Sequence, residues 1–357
     1  MNHRQSAQQH FDQSSQNIVV GDSQSCPLPI EQLINITEAS PYVKHVYTHG
    51  LTAEIFHLSI DGNEFTLKKK RAESKVLNVD GKYSFLNEVQ RRNDFERLKR
   101  QSNQFVHIVD TIYANYRQGI ILSPWIEGEE ISSLNQNTIA QLFTTLLACE
   151  QQGLFEWDLC AGNILVDRSG DIKLFDFGYM YRFDPLHEIN SNGLADPIFH
   201  LLERFETRFL FGWLLTQPIS EQQQKMIYQM VKEQASMVYE QKLAWLKNNH
   251  ADRDVVQHAE MIYLQCKETL SSEQQRDKWF LLDSFRSHVL DIEDDLHGKS
   301  CTSLTLRRID VVEQLLANHF ELLSHNGAFF YGNRNKSAET LLNDYRQKRE
   351  LARQYCL

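Results

Sequence analysis

Residues 158–178 read D-L-C-A-G-N-I-L-V-D-R-S-G-D-I-K-L-F-D-F-G, and they constrain this chain more than any other stretch. Ile164-Leu165-Val166 is a short apolar strand, Asp167-Arg168-Ser169-Gly170-Asp171 carries turn chemistry, and Ile172-Lys173-Leu174-Phe175 alternates into a second strand. The hairpin predicted in this way places Asn163 and Asp176 at adjacent ends of its two strands. Asp158 stands five residues before Asn163, so three oxygen-bearing side chains are strung along one short segment.

The spacing D-x-x-x-x-N followed by Asp176-Phe177-Gly178 resembles the catalytic loop and D-F-G motif of the protein-kinase-like superfamily. Phosphoryl transfer asks little covalent chemistry of a protein; it needs oxygen ligands for Mg²⁺, a carboxylate to orient the attacking hydroxyl, and cationic clamps for the phosphates. The resemblance implies ATP and Mg²⁺ as cofactors, Asp158 as the group that orients or deprotonates the acceptor, and Asn163 and Asp176 as metal ligands. It also implies an α+β, bilobal fold with an antiparallel amino-terminal sheet and a helical carboxy-terminal lobe.

The clamp is sought upstream. Glu54 to Ile60 alternates, Asp61-Gly62-Asn63 turns, and Glu64 to Lys68 alternates back, which reads as a hairpin. Its second strand, F-T-L-K, resembles the V-A-I-K strand of kinases, which assigns Lys68 to the α and β phosphates. Tyr83 to Lys99 has helical spacing, and Glu88 within it would pair with Lys68 as the kinase lysine–glutamate pair does. Lys69 or Lys70 takes the role if the register slips, although Lys69 points to the opposite face. The phosphate-covering loop departs from G-x-G-x-x-G: it reads His49-Gly50-Leu51-Thr52-Ala53-Glu54-Ile55, where small Thr52 and Ala53 would let the backbone approach phosphate. Val109–Tyr113 and Gly119–Leu122 read as strands leading to a hinge-like Ser123-Pro124-Trp125-Ile126-Glu127-Gly128.

Downstream, Thr138 to Gln152 is a helix by pattern. The kinase H-R-D is replaced by Glu156-Trp157-Asp158, which removes the arginine that receives an activation-loop phosphate. Glu156 then demands a partner that the sequence does not name. No A-P-E follows; Gly193-Leu194-Ala195-Asp196-Pro197 resembles the G-x-A-D element of aminoglycoside phosphotransferases, and Asp196-Pro197 reads equally as a helix N-cap. The short segment and the A-G-N loop ending tilt the resemblance toward small bacterial kinases. From Ile219 onward the pattern is helical. Pairs such as Met230/Val231 and Met237/Val238 recur as core stripes, and Ser337 to Tyr355 forms a last amphipathic helix. In the resembling families such helices build the acceptor site. The acidic cluster Asp291, Glu293, Asp294 and Asp295 reads as a solvated helix face, with a cationic acceptor as the alternative.

Composition sets the remaining bounds. A length of 357 residues gives room for two lobes, and a net charge of −10 disfavours nucleic acid as a partner. No apolar run reaches the roughly eighteen residues that span a membrane, no signal peptide opens the chain, and six scattered cysteines without C-x-x-C spacing point to reduced thiols in a cytoplasm. Residues 1–26, rich in Gln, Ser and Asn, read as a disordered tail. Residues 27–128 then form the amino-terminal lobe and hinge, and 129–357 the helical lobe with the catalytic loop, metal site and acceptor-binding helices. The expected function is ATP- and Mg²⁺-dependent transfer of the γ-phosphate to a hydroxyl acceptor, a small molecule before a protein. A pseudokinase that binds a partner, or a kinase fold that transfers AMP, is the alternative.

Overall fold

The structure is a computed structural model that describes residues 3–48, 50, 52–76 and 78–356. The chain divides into two compact units, residues 1–132 with 162–181 and residues 133–161 with 182–357. The division differs from the expected boundary at residue 128, because the hairpin carrying Asn163 and Asp176 groups with the amino-terminal residues.

Unit 1 holds a six-stranded antiparallel sheet. Its strands are β1 (Val19–Gly21), β2 (Val43–Tyr47), β3 (Ala53–Ile60), β4 (Asn63–Lys70), β5 (Tyr113–Asn115) and β6 (Ile120–Pro124), in the order β1-β5-β6-β4-β3-β2. The expected D-G turn closes β3 onto β4, with Asp61 and Gly62 both at positive φ. The apolar stretch at 109–112 does not join the ladder; the strand begins only at Tyr113. Side chains alternate between two cores. Phe56, Leu58, Ile60 and Leu67 pack with Leu33 and Ile36 on one face. On the other, Ala53, Ala114 and Ile121 pack with Phe85, Leu86 and Val89 of the long helix 79–101.

The segment read as a disordered tail is ordered over its described residues. It forms helix α1 (His3–Gln13) and strand β1, followed by the short helix α2 (Ile30–Ile34). Phe11 and Ile18 pack on the second core, Phe11 meets the Tyr116 ring at 5.9 Å, and Arg117 donates to the carbonyls of Phe11, Asp12, Ser14 and Gln16. Polar composition hid this because only two or three apolar side chains do the anchoring, while a distant arginine satisfies the helix end. Helix α3 (Val79–Gln101) starts earlier than periodicity predicts, capped by the Asn78 side chain on the Gly81 N–H. Strands β7 (Gly128–Glu130), β9 (Ile164–Asp167) and β10 (Ile172–Leu174) make a second sheet in the order β10-β9-β7, and the predicted hairpin is its β9–β10 half.

Unit 2 is helical apart from β8 (Leu154–Glu156) and the end of β11 (Met180–Arg182). Helices α4 (Gln136–Gln151), α5 (Leu201–Phe205) and α6 (Phe211–Thr216) precede α7 (Glu221–Asn248), α8 (Arg253–Thr269), α9 (Glu273–Gly298), α10 (Ser303–His325) and α11 (Ala338–Gln354). A π-helical turn, Glu206–Leu210, joins α5 to α6. The α9–α11 core contains Phe285, Val289, Ile309, Val312, Leu316, Leu341 and Tyr345. Of the paired α7 stripe, Val231 and Val238 are buried and Met230 is half-buried, but Met237 is 53% exposed.

Candidate active site

Strand alternation on β4 settles which of three consecutive lysines turns inward. Leu67 enters the first core, Lys68 pairs across the ladders with Ile55 and Ile121 on the α3 side, and Lys69 reaches back to the Ile36 carbonyl at 2.6 Å. Lys70 contacts the Tyr116 hydroxyl at 3.4 Å. Lys68 is 6% exposed. A cation so placed needs carboxylates, and it has two: Nζ donates to Glu88 Oε2 and lies 2.9 Å from Asp176 Oδ2. Burial pulls the Lys68 pKa down, but Asp176 and Glu88 outweigh it and the net shift is upward. Burial pushes Asp176 up in turn, and the Lys68 charge overcomes this and holds it below the usual carboxylate range.

Helix α3 supplies more of this arrangement than Glu88. Arg92 donates to Glu88 Oε1 at 3.1 Å and to Ser123 Oγ at 3.2 Å, which fixes the carboxylate from behind. The Asn87 amide donates to the carbonyls of Phe177, Gly178 and Met180 at 3.1, 3.1 and 2.7 Å, and Arg91 adds a bond to Met180. Phe177 is buried against Phe95 at 4.8 Å, with the Arg92 guanidinium 5.4 Å from its ring. Asp176 itself adopts φ of 63°, a left-handed conformation that Asp tolerates better than most residues and that marks a locally strained backbone. The neighbouring Phe175 N–H bonds the Asn163 carbonyl at 3.2 Å, so the backbone of Asn163 lies beside the strand that delivers Asp176. Asn163 and Asp176 thus offer an amide and a carboxylate oxygen at neighbouring ends of the hairpin, a donor set that suits Mg²⁺ completed by phosphate and water.

Of the phosphate-covering loop, His49 and Leu51 lie outside the described residues. Gly50 leaves no room for a side chain, since a Cβ there would stand 2.4 Å from the Ala53 carbonyl. Ala53 is buried, and the Thr52 carbonyl accepts from the Arg71 N–H at 3.2 Å. Arg71 was not singled out by any sequence motif. It donates to the carbonyls of Gly50 and Thr48 at 2.9 and 2.8 Å and pairs with Glu54 at 3.1 Å. A loop with one glycine is thereby fastened by an arginine.

Asp158 lies in unit 2. Its backbone N–H donates to Glu156 Oε1 at 2.7 Å, which is the partner that the buried Glu156 required. Trp157 fills the place of the missing arginine by packing on Phe199 at 5.0 Å and donating to Ser191 Oγ at 2.9 Å. The Asp158 carboxylate takes two bonds from Arg208, at 3.0 and 2.9 Å. Asp196 caps no helix: His200 is the N-cap of α5, and the Asp196 side chain instead accepts from Asn192 at 3.1 Å. The acidic cluster is a solvated face only in part: Asp294 is exposed and Glu293 half-exposed, while Asp291 turns inward. Asp291 is buried between Arg208 and Arg308, and Asp294 lies 3.7 Å from Arg204. These arginines come from other helices, so a cluster that is unbalanced in sequence is balanced in space.

Residues 55–204 match the ABC1 atypical kinase-like domain, a range that includes Lys68, Glu88, Asp158, Asn163 and Asp176. Among curated proteins, the chain is similar to an uncharacterized protein of Mycobacterium tuberculosis, 50% identical over 46 residues that make up 13% of this chain and 9% of that protein. It is also similar to a probable serine/threonine-protein kinase of Dictyostelium discoideum, 27% identical over 136 residues, 36% of this chain and 21% of that one. The chain therefore spans about a tenth to a fifth of the length of these relatives. Among solved structures it is similar to WbdD in complex with a kinase inhibitor, with a TM-score of 0.36, 13% identity, and coverage of 67% of this chain and 49% of that one. Monomeric WbdD gives a TM-score of 0.30 at 15% identity, covering 40% and 38%. The resemblance to the protein-kinase-like superfamily is supported, and the fold is α+β with an antiparallel amino-terminal sheet and a helical carboxy-terminal region.

Proposed function

We propose that this kinase-fold chain is an ATP- and Mg²⁺-dependent phosphotransferase that moves the γ-phosphate to a hydroxyl acceptor. One observation carries the reading: a buried lysine is held between the Glu88 and Asp176 carboxylates, and a purely structural ion pair has no need of a second carboxylate set in left-handed backbone. Lys68 clamps the α and β phosphates, Glu88 holds Lys68, and Thr52 and Ala53 belong to the loop over the phosphates. Asn163 and Asp176 would hold Mg²⁺, which would supply charge neutralisation at the phosphates. Asp158 orients the acceptor hydroxyl. A small molecule is favoured over a protein because the segment after Gly178 lacks the A-P-E platform on which peptides lie. Net charge, the absence of a membrane-spanning helix among the described residues and cysteines that form no disulfide there accord with a cytoplasmic protein that binds neither nucleic acid nor membrane.

A second reading is a binding protein of the same fold, or one that transfers AMP. The single-glycine loop and Glu156-Trp157 favour it. ATP labelled separately on the α and γ phosphates separates the three outcomes by mass analysis of protein and metabolites. Phosphotransfer predicts γ-label in a product and its loss in Asp176→Ala with the fold retained. Equal ATP consumption by that variant, or label from the α phosphate, refutes the reading.

A further inference from the structure

We propose that Arg208 is the positioning residue for Asp158, an inference that rests on the phosphotransferase reading above. Nε and Nη2 of its guanidinium donate to the same carboxylate oxygen, Oδ1, at 3.0 and 2.9 Å. Nη1 of the same group donates to Asp291 Oδ1 on α9. The fork therefore spans two carboxylates, one in the catalytic loop and one in a long helix. Rotation of the Asp158 carboxylate about its own axis breaks at least one of these bonds, so the direction of its second oxygen is set by the arginine.

The arginine is itself held. Asp291 Oδ2 lies 2.7 Å from Arg308 Nε, and Arg308 continues to the Thr207 carbonyl at 3.2 Å and to His288 Nδ1 at 3.1 Å. Arg308 is 1% exposed and passes over Gly212, where a Cβ would stand 2.4 Å from its Nη2. Arg208 occupies the middle of the π-helical turn Glu206–Leu210. Such a turn inserts one residue into the helical register and is frequent at functional sites. Helix α9 thus reaches Asp158 through one planar group.

A cross-link serving stability alone would be replaceable by any group that keeps charge and volume. Positioning requires the fork, because the ammonium of a lysine is a point charge on a flexible stem and imposes no planar direction on the carboxylates it meets. The test uses the full chain with Arg208→Ala and Arg208→Lys, assayed by γ-labelled Mg·ATP turnover. Expected for Arg208→Ala is a fall in kcat of about 100-fold with KM for ATP changed by less than about threefold, as misplacement of a reacting group produces. Arg208→Lys recovers no more than about a tenth of the lost rate. Free guanidinium at tens of millimolar restores about tenfold to the alanine variant and nothing to the wild type. An unchanged kcat, a rise in turnover, or a loss that appears only in KM overturns the proposal. Thermal melting reports folding; if the alanine variant does not fold, the lysine variant decides alone, and full activity in it refutes the role. If the wild type transfers no phosphate, the phosphotransferase reading fails separately. Amide exchange over residues 156–160 then decides: faster exchange in a folded Arg208 variant supports positioning, and unchanged exchange overturns it.

Discussion

Asp295 on α9 shows how one residue turns spatial neighbours into a pH dependence. Burial and the nearby Asp291 carboxylate raise its pKa to about 6, against the Thr305 hydroxyl bond and the charges of Arg208 and Arg308. The folded-state value lies above the unfolded value of about 3.9, so the folded protein holds this proton more tightly. Its contribution to stability is therefore greatest below about pH 4, is lost as pH rises toward 6, and stays lost above that. Asparagine keeps an oxygen for Thr305 and removes the charge. Asp295→Asn should raise stability at pH 8 by on the order of 1 kcal/mol and by only about a third as much at pH 4.5. Urea unfolding at the two pH values checks this, and an equal shift at both would show that packing, not charge, is responsible. Sequence alone read Asp295 as part of a solvated acidic face, since the arginines that surround it lie some 80 residues earlier or just beyond the next turn.

Among elements, α3 departs most from its expected role. Periodicity located the helix and the kinase resemblance located Glu88, but neither pointed to Asn87, Arg91 or Arg92, because hydrogen bonds to a distant backbone leave no trace in hydrophobic spacing. Those three residues fasten the helix to Phe177, Gly178 and Met180. Asn87→Leu keeps the volume and removes the donor for three carbonyls in a buried setting. The expected loss is about 2–3 kcal/mol in urea unfolding, from carbonyls left without that donor. A loss below about 0.5 kcal/mol would mean that water replaces the amide readily and the coupling of α3 to the D-F-G segment is weak.

At the scale of the whole molecule, the two compact units cut across the expected lobes, and the amino-terminal residues belong to the first of them. Helix α1 adds to unit 1 through Phe11, the Asp12–Tyr116 bond and the four carbonyl bonds of Arg117. Arg4 also lies 3.5 Å over the Tyr181 ring and 2.9 Å from Asp80 at the start of α3. Removal of residues 1–18 should destabilise the chain by about 2–4 kcal/mol, the scale of one truncated aromatic and its exposed neighbours. Chemical unfolding of full-length and shortened chains measures it. An unchanged midpoint would return this segment to the tail that its composition suggested.

What the sequence determined by itself was the local chemistry: the β9–β10 hairpin with Asn163 and Asp176 at its ends, the β3–β4 hairpin with Lys68, and the helices of unit 2. Each rests on turn residues and side-chain periods that act within a few residues. The tertiary structure decided that Asp176 joins Glu88 at Lys68, what balances Asp291, and that Arg208 meets Asp158. Those outcomes depend on charges and carbonyls brought together from distant parts of the chain. A buried charge is tolerated only where such partners converge, and their convergence is a property of packing that no local pattern encodes.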